Sequence, residues 1–309
     1  MEKEKNTTKN LAFSSGFCAI VGRPNAGKST LLNRFVGEKV SIVSPKPQTT
    51  RNKIAGILTT ESYQIVFEDT PGIIKKQGGL NDFMRRSIDL AGGDTDVILV
   101  VIDGVKGVTA QDKEIIERFK GRADTTFYLV NKTDEGGAQR IMPALKALSD
   151  MGLDNIYPIS ARSGENVQLV LSQIVKALPY GEMFYPDNMI TDRSKRFMAA
   201  EIIREKALYL YQEEIPHGVG VNITKYAPNP DNSEITDIDA EIYCEKQSHK
   251  AIIIGKGGLS LKKLGEKARF DLEKLTGSKV FLTLWVKVKE NWRVRDSVLR
   301  ELGYGKKQL

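Results

Sequence analysis

The chain has 309 residues, 40% hydrophobic and 28% charged, with a net charge of +7. That length suggests about two globular domains, and no run of ~20 apolar residues is present to span a bilayer. The polar opening MEKEKNTTKN predicts no secretory signal. Cys18 and Cys244 are far apart and lack CxxC spacing, which argues against a disulfide framework or a zinc site and predicts reduced core thiols in the cytoplasm. The charge is uneven. Residues 1–190 carry 24 Lys/Arg against 22 Asp/Glu, residues 191–245 carry 6 against 11, and residues 246–309 carry 16 against 6. The C-terminal segment thus holds nearly all the excess positive charge, and a polyanion is its expected partner.

In chain order, FCAIV, NKIAGILT, YQIVFED, DVILVVID, TTFYLV and NIYPIS read as strands. They alternate with the amphipathic stretches STLLNRFVG, DKEIIERFK, AQRIMPALKALSD and VQLVLSQIVKAL. This rhythm predicts an α/β domain over residues 12–180, a doubly wound, mostly parallel sheet with helices on both faces. NKIAGILT and YQIVFED are joined by Thr60–Ser62 alone, which predicts a hairpin and one antiparallel edge strand. LPYGEMFYPDNM reads as a linker, assigned to residues 181–191. Residues 192–309 then follow the order α-β-β-α-α-β, a small α+β domain with a C-terminal tail. Its first helix, in RSKRFMAAEIIREKALYLY, places Phe197, Ala200, Ile203, Ala207 and Leu210 on one stripe with charges opposite.

Gly22-Arg23-Pro24-Asn25-Ala26-Gly27-Lys28-Ser29 fits G-x-x-x-x-G-K-[ST] between a strand and a helix. Backbone N–H groups of such a loop wrap phosphates at a helix N-terminus, where Ala26 and Thr30 also fall. Lys28 is expected on the β/γ-phosphates and the Ser29 hydroxyl on Mg2+. Asp69-Thr70-Pro71-Gly72 ends a strand; Asp69 suits the Mg2+ shell through water, and Gly72, beside Pro71, suits a γ-phosphate contact. Asn131-Lys132-Thr133-Asp134 ends another, where the Asp134 carboxylate can accept two hydrogen bonds that guanine offers and adenine does not. Ser160-Ala161 ends the next, with a backbone N–H for guanine O6. Thr49 and Thr50 of PQTTR supply a switch threonine, Thr50 being preferred as a Mg2+ ligand. Together, in this order and all at strand ends, these motifs imply a pocket for GTP and GDP.

Gly255-Lys256-Gly257-Gly258 lacks that spacing and has no base-reading motifs after it. Preceded by Ile252-Ile253-Ile254 and followed by a basic helix, it fits the GXXG loop of a KH domain, which clamps single-stranded nucleic acid. Ile254 and the glycines would meet the strand, and Lys256, Lys262, Lys263 and Lys267 would neutralise phosphates. Trp285 and Trp292 are open to two readings, base stacking or core; His217 and His249 read as structural or surface residues.

The first set of motifs resembles the translation-factor-like GTPases and by that resemblance implies guanine specificity from Asn131 and Asp134. Joined to ITDRSKRFMAAEIIREK, IIIGKGG and LWVKVKENW, it resembles the Era family of bacterial ribosome-assembly GTPases over nearly the whole chain. The resemblance implies slow GTP hydrolysis and binding of single-stranded RNA near the 3′ end of small-subunit ribosomal RNA while that subunit matures. It also implies a monomeric cytoplasmic protein, with peripheral contact at the inner face of the membrane as a further expectation. The position after Gly72, a water-orienting glutamine in Ras-type GTPases, is Ile73. In relatives with an apolar residue there, an asparagine at the position of Asn25 is linked to K+, which would stabilise transition-state charge; the alternative is that Asn25 braces its own loop. Two further readings stay open, an RNA-binding scaffold with a structural nucleotide and a GTPase whose basic tail meets anionic lipid.

Overall fold

The computed structural model describes residues 13–46, 49–71 and 95–304. Gly72 and Ile73, the Pro47 and Gln48 of PQTTR, and the ends of the chain lie outside the described residues.

The first domain is built on a six-stranded sheet in the order β2-β3-β1-β4-β5-β6. Its strands are β1 (Ser14–Val21), β2 (Ile54–Thr59), β3 (Tyr63–Asp69), β4 (Val97–Asp103), β5 (Thr126–Asn131) and β6 (Ile156–Ile159). All pairings are parallel except β2 with β3, the expected hairpin at the sheet edge. β4 reads VILVVID and is buried at every position, as a central parallel strand covered on both faces requires. α1 (Lys28–Val36) and α4 (Val167–Ala177) cover one face, packing Leu31, Leu32, Phe35, Val170 and Ile174. α2 (Ala110–Phe119) and α3 (Thr133–Asp150) cover the other through Ile115, Ile116, Ala144 and Leu148. Because β1 lies between β3 and β4, connections leave it in opposite directions, and the crevice opens at the strand C-terminal ends.

The linker is a strap rather than a loose tether. Gly181 N–H donates to Phe13 O (3.0 Å), and the Ser15 hydroxyl donates to Glu182 O (2.7 Å). The fully buried Gln64 donates to Tyr185 O (2.8 Å) and accepts from Phe184 N (2.7 Å) and Tyr185 N (3.0 Å). Ile57 N–H donates to Ile190 O (2.9 Å), so the edge strand β2 is partly capped.

The second domain runs α5 (Lys195–Leu210), β7 (Gly220–Pro228), β8 (Ile235–Cys244), α6 (Gln247–Ile254), α7 (Leu259–Thr276) and β9 (Lys279–Val288). β7 and β8 are antiparallel, and β9 joins β8 in parallel after the α6–α7 crossover. The core lies between this sheet and the helices, with Ile203, Ala207, Ile238, Ile242, Ile253, Leu264 and Leu272. Beyond β9, α8 (Asp296–Glu301) folds back so that Val298, Leu299 and Leu302 enclose Tyr243 and Trp292. Trp292 is core and donates its ring N–H to Gly218 O (2.8 Å), whereas Trp285 is 59% exposed.

α5 departs from the single stripe. Ile203 and Ala207 are buried as expected, but Phe197, Ala200 and Leu210 are half-buried, while Met198, Ile202, Glu201, Arg204 and Glu205 are buried. A helix with partners on two sides buries more than one face. The second partner is the loop between α1 and β2.

Candidate nucleotide pocket and RNA-binding surface

The phosphate loop joins β1 to α1. Gly27 has φ 103°, and a Cβ there would stand 2.1 Å from Asn131 Nδ2, so this position tolerates no side chain. Lys28, 6% exposed, donates its ammonium to Gly22 O (2.9 Å) and Arg23 O (3.0 Å). Burial lowers its pKa to about 8, against the pull of Asp69 and Asp112. A buried ammonium held by two loop carbonyls is a charge awaiting an anion. Asn25 sits at φ 64° and donates its amide to Pro45 O (2.6 Å), bracing the loop against the α1–β2 segment. The loop lines a cavity of about 540 Å³ together with Ile42–Pro45, Thr49, Thr50, Lys132, Glu135 and Arg162.

At the inner end of this cavity three hydroxyls surround a buried carboxylate. Asp69 Oδ2 accepts from Ser29 Oγ (2.6 Å), Ser41 Oγ (2.9 Å) and Thr50 Oγ1 (3.2 Å), and Ser29 Oγ lies 2.8 Å from Thr50 Oγ1. Asp69 Oδ1 is buried with no hydrogen-bond partner. Burial pushes the carboxyl pKa up, opposed by Lys28 and the three hydroxyls. Hydroxyls plus one carboxylate with an orphaned oxygen form a hard-oxygen donor set, which fits Mg2+. Ser41 was not among the residues expected here.

At the other end, Asn131 has both amide groups engaged inside the protein. Its Nδ2 donates to Ala26 O (2.7 Å), and its Oδ1 accepts from Ala161 N (2.9 Å). Asn131 therefore ties the phosphate loop to the Ser160–Ala161 loop. Ser160 N–H goes to Glu165 O (3.1 Å), so neither expected N–H points unengaged at guanine O6. The Ser160 hydroxyl orients Asp134 (2.7 Å), and Lys132, at φ 78°, caps α3 and pairs with Asp103 (2.8 Å).

In the second domain Gly255 and Gly257 have φ 72° and 59°, with Gly258 at 80°, turning the chain sharply between α6 and α7. A Cβ on Gly255 would meet Ser260 Cβ at 2.6 Å. Lys256, Lys262, Lys263 and Lys267 are all exposed and Ile254 is half-buried. Ile252 and Leu259, 52% and 68% exposed, flank the turn and add apolar surface beside Ile254.

Residues 17–132 match a family described as 50S ribosome-binding GTPase, and residues 214–293 match the KH domain. The chain is 46% identical to GTPase Era of Alkaliphilus metalliredigens over 95% of its own length and 100% of that protein. It is 48% identical to GTPase Era of Caldanaerobacter subterraneus, covering 95% and 99%. The chain belongs to the Era family of GTPases. A solved Aquifex aeolicus Era variant bound to GDP.AlF4- superimposes with a TM-score of 0.90 at 40% identity, covering 95% of this chain and 100% of that one. Era in complex with MgGDPNP and nucleotides 1506–1542 of 16S ribosomal RNA matches with the same score and identity over 95% and 99%.

In this Era-family chain the α1–β2 segment, which carries Thr50, is docked on the second domain. Val43 N–H donates to Glu205 (3.0 Å), Lys39 bridges Glu205 (2.6 Å) and Asp271 (3.0 Å), and Lys46 donates to Tyr211 O. Arg204, paired with Glu201, donates to Thr49 O. Arg51 is 1% exposed and inserts wholly into the second domain. Its guanidinium donates to Val219 O (2.7 Å) and His217 O (3.0 Å) and lies 5.6 Å from the Trp292 ring centroid. The TTR motif pointed to its threonines; the arginine beside them carried no signal of an interdomain partner.

Proposed function

We propose that this GTPase is a switch that binds single-stranded RNA at the 3′ end of small-subunit ribosomal RNA during assembly of that subunit. On this reading, residues 12–180 form the GTPase domain, 181–191 the linker and 192–309 the KH domain and tail. The small-subunit assignment rests on the ribosomal RNA held by the relative that aligns over 95% of the chain. The description naming the 50S subunit concerns residues 17–132 alone.

The observation that carries the mechanism is the division between two adjacent residues. Thr50 reaches Ser29 and Asp69 in the pocket, while Arg51 is sealed inside the KH domain. Whatever moves Thr50 therefore acts on the KH domain across one peptide unit. Lys28 and the loop N–H groups of Gly22 to Thr30 would bind the phosphates, and Asp134 would select guanine. Ser29, Thr50 and, through water, Asp69 would hold Mg2+, which when bound neutralises charge on the β- and γ-phosphates. Gly255 to Gly258, with Ile254, Lys262 and Lys263, would grip the RNA backbone and receive bases. GTP holds Thr50 inward, hydrolysis releases it, and RNA and GTP favour each other's binding by the same factor. The test is RNA affinity with GDP against a non-hydrolysable GTP analogue; equal affinities rule the switch out.

A K+ ion is the finer cofactor reading. Asn25 spends its Nδ2 on Pro45 O and leaves Oδ1, the atom that would meet a cation, outside the loop's hydrogen bonds. Turnover in K+ against Na+, with Asn25→Ala as the control, decides it. We place the protein in the cytoplasm as a monomer. The basic C-terminal charge suits RNA, with peripheral contact at the inner face of the membrane as a further part of this reading; no described helix is long and apolar enough to cross a membrane.

A further inference from the structure

One wall of the nucleotide cavity comes from the other domain. Tyr209, near the end of α5, lines it together with Val43, Ser44 and Arg162. Its neighbours Ala207 and Leu208 are buried, yet Tyr209 is 50% exposed, so its ring faces the cavity rather than the KH core. Two contacts bracket it. One turn before, Glu205 accepts from Val43 N–H; two residues after, Tyr211 O accepts from Lys46. The ring is thereby fixed beside the switch segment. Its hydroxyl makes no hydrogen bond among the described residues; burial and the Glu205 charge push its pKa up, opposed by Lys206 and Arg162. Arg162 in turn pairs with Asp134 (3.4 Å) and Glu135 (3.1 Å), so it marks the base end of the site.

The phosphates belong with Lys28 and Ser29 at one end and the base with Asp134 at the other. The sugar must span the stretch between, where Tyr209 is the one aromatic ring among the described lining residues. We propose that Tyr209 is a KH-domain residue of the GTP pocket, packing its ring against the ribose and offering its hydroxyl to the sugar hydroxyls. The pocket is then complete while α5 is docked on the switch segment, and undocking opens it. Nucleotide retention is thus set by KH placement through a direct contact as well as through Thr50. The inference rests on GTP binding and not on the RNA-coupled switch.

The test is calorimetric titration of the full chain with Mg2+ and unmodified GDP or a non-hydrolysable GTP analogue, since sugar-linked fluorophores would occupy the proposed contact. One ring face and one neutral hydrogen bond predict that Tyr209→Ala weakens both nucleotides about 10-fold and Tyr209→Phe about 3-fold. Removing both sugar hydroxyls from the analogue should cost the wild type about 3-fold more than it costs Tyr209→Phe. In turnover KM rises while kcat stays within about twofold, as for a contact made equally in ground and transition states. Equal affinities of Tyr209→Ala and wild type overturn the proposal, as does an equal dideoxy penalty in wild type and Tyr209→Phe. RNA affinity of nucleotide-free Tyr209→Ala should match wild type, which separates this contact from the switch itself.

Discussion

Replacing Arg51 by methionine should leave a GTPase that no longer communicates with its RNA-binding domain. The guanidinium makes two hydrogen bonds to buried backbone carbonyls, at 2.7 and 3.0 Å, and lies over Trp292. Charge-assisted bonds contribute ~1.5–3 kcal/mol each and a desolvated cation–π contact about 2 kcal/mol. Desolvating the guanidinium offsets several kcal/mol of that, but the variant also strands the Val219 and His217 carbonyls. Stranding the two buried carbonyls costs roughly 1–3 kcal/mol each, about 2–6 kcal/mol in the docked form. Coupling between two sites is typically ~1–3 kcal/mol, which is smaller. The docked form therefore loses more than the coupling it transmits, and the ratio of RNA affinities in GTP analogue and GDP should fall to one. Fluorescence anisotropy with labelled single-stranded RNA reads this ratio. Nucleotide affinity should fall by no more than about tenfold, the loss expected for Tyr209→Ala, because undocking withdraws Tyr209 while Lys28, Ser29, Lys132 and Glu135 still line the cavity. An affinity ratio like that of wild type would refute the role of Arg51 as the link.

Lys28→Met should weaken GTP binding at least ~100-fold while raising the melting temperature of the nucleotide-free protein, because a buried ammonium with its pKa near 8 carries a cost of ~3 kcal/mol when charged. In the folded form this pKa lies below its unfolded value, so between pH 8 and 10.5 the unfolded chain holds more protons; the cost is full below pH 8 and is relieved as pH rises through that window. Bound phosphates restore the proton, so nucleotide affinity should be flat below pH 8 and fall up to about tenfold per unit above it, with calorimetry in two buffers showing proton uptake. Asp134→Asn should cut GTP affinity by roughly 100-fold or more and favour xanthosine triphosphate, whose 2-carbonyl can accept from the new amide; competition binding checks it. Lys262→Ala with Lys263→Ala should weaken RNA binding and lower the slope of log affinity against log salt by about 1.4, with GTP turnover unchanged.

What could be read from the sequence was what short contiguous stretches decide. The phosphate loop, Asp69, Asp134 and the GKGG turn each owe their form to glycine geometry or to a residue at a strand end, and the short Thr60–Ser62 connection was enough to place the β2–β3 hairpin. The second face of α5 was not readable in this way. Glu201, Arg204 and Glu205 look like a solvated face because charge normally marks water, and periodicity records that a face is apolar, not that a polar face has a partner. Here the charges are buried because each is matched: Glu201 to Arg204, Arg204 to Thr49 O, and Glu205 to Lys39 and Val43 N–H. Asn131 shows the same gap at smaller scale, a residue read as a base contact whose two amide groups hold two loops together. The missing information in both cases is long-range, set by which loop the fold brings alongside. It also explains how two glycine–lysine stretches in different domains can serve one protein. The phosphate loop touches the switch segment through Asn25 and Pro45, the segment enters the KH domain at Arg51, and that domain returns Tyr209 to the pocket. Removing Arg51 opens that circuit on one side and removing Tyr209 on the other, so the two variants should differ: the first loses coupling together with the Tyr209 contact, and the second loses affinity with coupling kept.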